Sequence, residues 1–221
     1  MHLLLPQAEI EFYLTHLLAS NFPLPSPLPL IPAQAHASAL ARLEYCFSHI
    51  KRKYYCDEHG PVFDPLNADH LCAYLWFLSN TLAYQFSNER LAIALSHLNK
   101  RLHGVDLFYS VQLPDIFLLV HPVGSVFGAA SYSNFFVAYQ NCTIGADGTS
   151  YPRLAEGVVC FSRTSVIGSC DIGSNVVLAA NAFLLNTNVP PSSVVTGAYP
   201  SNRLIPNRQS TIDRVFSPSI S

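Results

Sequence analysis

From Leu154 onward the apolar positions of the chain recur every six residues, at Leu154, Cys160, Val166, Ile172, Leu178 and Leu184. The residues four further on (Val158, Thr164, Cys170, Val176 and Ala182) are all small or β-branched. A period of six fits neither the roughly 3.6 of an α-helix nor the twofold alternation of a strand. It suits a triangular coil of short parallel strands with one inward aliphatic per face. Neighbouring coils then bury each other's interior, so the pattern predicts a β-solenoid. Counting backwards, Val120, Val126, Tyr132, Ala138 and Ile144 keep the same step, and the coil is expected to begin near Val105. Between Ile144 and Leu154 the step is ten, which puts four extra residues in a loop around Asp147, Gly148, Thr149 and Ser150. A loop leaving a rigid coil is where function tends to sit.

Upstream of Val105 the spacing is helical. Gln7 to Ala19 carries Ile10, Tyr13, Leu14, Leu17 and Leu18 on one face, and Ala35 to Arg52 carries Leu40, Leu43, Phe47 and Ile50, with Lys51 and Arg52 expected in its last turn. Between them, five prolines from Pro23 to Pro32 exclude a regular hydrogen-bonded element and predict a surface strap over 23–33. Asn67-Ala68-Asp69 reads as the N-cap region of a long apolar helix ending near Phe86, and Ser87-Asn88-Glu89 starts another that runs to about Leu102. Gly104 closes the helical part. The expected class is therefore α+β, with a helical N-terminal domain over 1–104, a β-helix over 105–204 and a partly disordered tail over 205–221.

Composition narrows the function classes. Half of the residues are apolar and 12% are charged, which favours a buried subunit interface. A net charge of −2 supplies no basic face for nucleic acid. The most apolar run, Leu71 to Phe86, is shorter than the roughly 20 residues of a bilayer span, and the N-terminus lacks the features of a signal peptide, so a cytoplasmic protein is expected. The six cysteines form no CxxC pair and read as reduced and structural; with the histidines they show no metal-ligand spacing.

Val105-Asp106 stands fifteen residues ahead of the histidine in His121-Pro122-Val123-Gly124-Ser125-Val126-Phe127-Gly128, and Tyr151-Pro152-Arg153-Leu154-Ala155-Glu156-Gly157-Val158 follows the loop. With helices ahead of hexapeptide repeats, these segments resemble the serine acetyltransferase branch of the left-handed β-helix acyltransferases, over roughly Phe63 to Leu204. The resemblance implies acetyl-CoA as co-substrate, no metal, and a homotrimer, with pairing of trimers left open. It implies His121 as general base, an imidazole being suited to proton transfer near neutral pH, and Asp106 as the carboxylate that holds the ring's other nitrogen. CoA is expected in a groove between neighbouring coils of two subunits, at Gly145, Ala146, Ser162 and Ala180.

The departures concern the acceptor. The family's aspartate before the catalytic histidine is replaced by Val120, and its Arg-His pair by Ser150-Tyr151. A zwitterionic substrate needs compensating charges once desolvated, so the sequence favours a sugar hydroxyl, of the kind acetylated in surface polysaccharide synthesis. Tyr151 then either binds the sugar or packs the loop. Serine O-acetylation for cysteine synthesis and a non-catalytic trimerisation scaffold are the alternatives.

Overall fold

Four amphipathic or apolar segments become helices: α1 (Gln7–Asn21), α2 (Ala33–Ser48), α3 (Ala68–Tyr84) and α4 (Glu89–His103). The computed structural model describes residues 1–26 and 28–217. Helix α3 is capped by Asn67, whose side chain accepts from the backbone N–H of Asp69 and His70 at 3.0 and 3.4 Å, and α4 by Asn88, which accepts from Leu91 N–H at 3.2 Å. A small sheet of β1 (His2–Leu3), β2 (Cys56–Asp57) and β3 (Gly60–Phe63) ties the N-terminus to the segment ahead of α3. The strap between α1 and α2 has no regular structure where it is described, with Leu28 and Ile31 packed against the core.

Helix α2 ends at Ser48, short of the expected Arg52. The His49 ring turns back to the carbonyl of Tyr45 at 2.7 Å, and the next backbone groups pair with the C-terminal segment, Lys51 N–H donating to Val215 O at 2.9 Å. That segment differs from the disordered tail expected over 205–221: through Ser217 it is built into the fold, and residues 218–221 lie outside the described residues. Its single helix, α5 (Thr211–Val215), docks through Thr211 Oγ1, which donates to Gly157 O at 2.6 Å, and Phe216 is buried against Phe135 with ring centroids 5.2 Å apart.

From Asp106 the chain winds into a left-handed parallel β-helix of about five turns. One face is β4 (Asp106–Leu107), β6 (Val126–Phe127), β9 (Thr143–Gly145), β12 (Ser165–Ile167) and β15 (Phe183–Leu185). The second is β5 (Phe117–Leu119), β8 (Phe136–Ala138), β11 (Val159–Cys160), β14 (Val177–Leu178) and β16 (Ser193–Thr196), with β17 (Arg203–Pro206) added antiparallel to β16. The third is β7 (Ser131–Tyr132), β10 (Arg153–Leu154) and β13 (Asp171–Ile172). The repeat positions from Leu154 to Leu184 are all buried, and they stack in register, as in Ile144–Val166–Leu184 and Ala138–Cys160–Leu178.

The backward count slips at the first coil. Leu119, not Val120, pairs with Ala138, and Phe127, not Val126, pairs with Ile144. Phe127 is 2% exposed and Val126 is 42% exposed. The corner between β5 and β6 holds two residues more than the one between β8 and β9, so the regular step of six fails there as well as at the Asp147 loop. Helices and coil share one core across Gly104: Trp76 of α3 meets Phe117 edge-on at 5.3 Å, and its indole N–H donates to Val111 O at 3.2 Å.

Candidate active site

His121 sits in that enlarged corner with a left-handed backbone, φ +48°. The turn is possible because Gly124 (φ +74°) follows it: a Cβ there would run into the Asn141 side chain. Gly128, four residues on, lies against the next coil so closely that a Cβ would stand 2.9 Å from the Ile144 carbonyl oxygen. The two motif glycines thus let the histidine corner lie flush on the coil beside it.

Asp69, in the first turn of α3, meets this corner. Both of its carboxylate oxygens accept from the His121 backbone N–H at 3.1 Å, and Oδ2 lies 3.3 Å from His121 Nδ1. The same carboxylate therefore fixes the strained backbone and faces one ring nitrogen, which leaves Nε2 for a reacting hydroxyl. The imidazole is 77% exposed and the Asp69 side chain 15%. Asp106 lies beside the same corner, its backbone N–H donating to Ser125 O at 2.9 Å, but its carboxylate forms an ion pair with Lys100 at 2.6 Å, at the end of α4, and among the described residues no hydrogen bond or ion pair joins it to His121. Physically, α3 docks on the histidine corner while the last turn of α4 captures the acid six residues beyond Lys100. Sequence reasoning missed Asp69 because an acid at a helix N-terminus reads as a partner of the helix dipole.

Beside His121 opens a cavity of about 410 Å³ lined by Arg52, Tyr55, Asp69 and Val120, among others. The Arg52 guanidinium donates to Tyr139 Oη at 2.9 Å and lies over that ring. Tyr55 is buried; burial first, and Asp69 next, push its phenol up, while Arg52 opposes them.

The remaining expected residues divide between two corners. The pairings Ala138–Cys160 and Cys160–Leu178 put Ser162 and Ala180 on the corner that His121 occupies, where Asn181 N–H donates to Ser162 O at 3.0 Å. Gly145 and Ala146 lie at the next corner, with the loop that Asp147 anchors by accepting from Asn186 Nδ2 at 2.8 Å. Tyr151 is exposed beside a separate cavity with Arg153 and Asp171. Within one chain, Tyr151 and His121 line different cavities.

Among the described residues no group of three or more His, Cys, Asp or Glu side chains is placed to hold a metal ion, and no helix is long and apolar enough to cross a membrane. The cysteines are free thiols; burial pushes Cys46 and Cys72 up to about 12, and Cys160 well up. None is poised as a thiolate nucleophile.

A helical cap, a left-handed β-helix and a histidine at an enlarged coil corner make this chain similar to the hexapeptide-repeat serine acetyltransferases. No family model matches the chain. It is 31% identical over 124 residues to a serine acetyltransferase of Synechococcus elongatus, an overlap of 52% of this chain and 50% of that one. The chain spans about half the length of the curated relatives it matches. In fold it is similar to a serine acetyltransferase solved in complex with cysteine (TM-score 0.70, 18% identity, 93% of this chain and 82% of that one). A serine acetyltransferase solved with CoA is similar as well (TM-score 0.63, 19% identity, 88% and 84%). Those relatives are serine acetyltransferases, whereas Val120 and Tyr151 lead to the expectation of a sugar acceptor.

Proposed function

We propose that this chain transfers an acetyl group from acetyl-CoA to the hydroxyl of serine, with His121 as general base. The observation that carries the reading is the clamp of Asp69 on the backbone and Nδ1 of His121, in a fold similar to serine acetyltransferases. Acetyl-CoA supplies the acyl group as a thioester, a carbonyl open to attack with a thiol as leaving group. His121 Nε2 accepts the hydroxyl proton as the oxygen attacks, holds it as imidazolium, and releases it to the departing sulfur. Asp69 takes the supporting role that the resemblance gave to Asp106: it orients the ring and stabilises the imidazolium.

The residues fit a CoA arm. Along the His121 corner the side chains shrink to Ser162 and Ala180, which leaves backbone groups approachable, and at the other corner the Cβ direction of Gly145 is open. Because those corners belong to different edges of one triangular coil, the reading includes a homotrimer that sets the His121 corner of one subunit against the Gly145, Ala146 and Tyr151 corner of the next. It also includes a cytoplasmic setting, with which free thiols agree.

The test is thiol release from acetyl-CoA with serine and with a panel of nucleotide sugars. Serine-dependent release is expected, falling by about 100-fold or more in His121→Ala while CoA binding persists. Turnover of a sugar without serine turnover would replace the acceptor, and equal rates in variant and wild type would remove His121 from the chemistry.

A further inference from the structure

The cavity beside His121 holds one guanidinium and one carboxylate that do not pair with each other: among the described residues no ion pair joins Arg52 and Asp69. Both groups are prearranged. Arg52 is fixed by its donation to Tyr139 Oη and by lying over the Tyr139 ring, which is itself stacked on Phe161 at 5.0 Å. Nη2 is engaged there, and among the described residues the other donor nitrogen atoms of the guanidinium make no hydrogen bond. Asp69 is fixed by the first turn of α3 and by the His121 N–H. Separated opposite charges in a half-enclosed cavity are costly to desolvate unless a ligand meets each of them. A neutral sugar can hydrogen-bond to both but neutralises neither, and a phosphate-bearing donor would be repelled by Asp69. An α-amino acid carries both counter-charges a few bonds apart, and about 410 Å³ is within the range of small-molecule sites, which run from about 300 Å³ upward.

We propose that this cavity is the acceptor subsite, in which Arg52 binds the α-carboxylate and Asp69 the α-ammonium of an amino acid whose side-chain hydroxyl then faces His121 Nε2. The proposal rests on the acetyl-transfer reading of His121 and adds the source of its selectivity. It accounts for the uncharged Val120 and Ser150-Tyr151: the handles that these motif positions lack come from the segment after α2 and the start of α3. Asp69 thus contacts acceptor and base together, while Arg52 contacts the acceptor alone.

Steady-state kinetics with L-serine and with ethanolamine, which keeps the ammonium and hydroxyl but has no carboxylate, test it. Wild type is expected to favour serine by about 10- to 100-fold in kcat/KM, the range for one charge-assisted contact. Arg52→Ala is expected to raise the KM for serine by a similar factor, to leave the KM for acetyl-CoA within about twofold, and to abolish the preference over ethanolamine, with partial recovery in Arg52→Lys. Serine turnover with no preference over ethanolamine in wild type overturns the proposal without any variant and leaves acetyl transfer standing. An unchanged serine KM in a folded Arg52→Ala does the same. Absence of serine-dependent thiol release in wild type overturns the serine reading itself, and the subsite with it.

Discussion

His121 is held by a carboxylate that lies 52 residues earlier in the chain. The motif around the histidine is visible in the sequence through its resemblance to the serine acetyltransferase branch, and its contacts are local to one corner. Asp69 is not, since its meaning arises only when α3 docks on the coil. Other single residues carry consequences for pH. His70 Nδ1 accepts from the Asp64 N–H at 3.2 Å, and its Nε2, packed against the rings of Phe47 and Tyr55 at 4.9 and 4.5 Å, has no hydrogen-bond partner among the described residues. Burial, against a weaker pull from Asp64, lowers its pKa to about 4, and burial lowers His36 and His103 as well. Below the usual histidine range the unfolded chain binds protons that the folded one does not, so this stability is complete above about pH 6.5 and is lost as pH falls towards 4. Denaturant unfolding is expected to show a decline on the order of 2–3 kcal/mol from His70 across that window, and His70→Leu to flatten it; an equal slope in both proteins would exclude His70 as the source.

At the scale of elements, the six-residue period read correctly wherever a coil has its full three hexads, since each inward residue must meet the one above it. It misread the first coil because two extra residues sit in the histidine corner, which puts Leu119 one before and Phe127 one after the counted positions; the count is back in step at Tyr132. The structure therefore separates two neighbours that the period confused: Phe127→Ala is expected to cost about 3–5 kcal/mol in unfolding, and Val126→Ala to stay within about 0.5 kcal/mol. The reverse order would restore the simple count. The end of α2 was misjudged for a related reason: Lys51 looked like a last-turn cation, but its backbone N–H bonds to Val215 O, near the far end of the chain. Pattern reading cannot see a partner supplied from there.

At the scale of the whole molecule, exposed Val123 and Tyr151 stand on the coil corners that a threefold assembly would bring together, and exposed Val126 starts the strand next to Val123's corner. Sedimentation equilibrium is expected to give three times the chain mass; a monomer of full activity would remove the shared-site arrangement. The two ends of the coil differ. Helix α4 packs over β4 at one end, and at the other β17 folds back on β16, pairing Val195 with Leu204 and Ser193 with Pro206. The outer backbone edge of the last parallel strand on that face is thus taken by its own chain, and the strand that takes it ends on a proline, which has no N–H to donate. A stack of parallel coils is a fibre in miniature, and on this face the chain carries its own terminator, which opposes end-to-end growth into filaments.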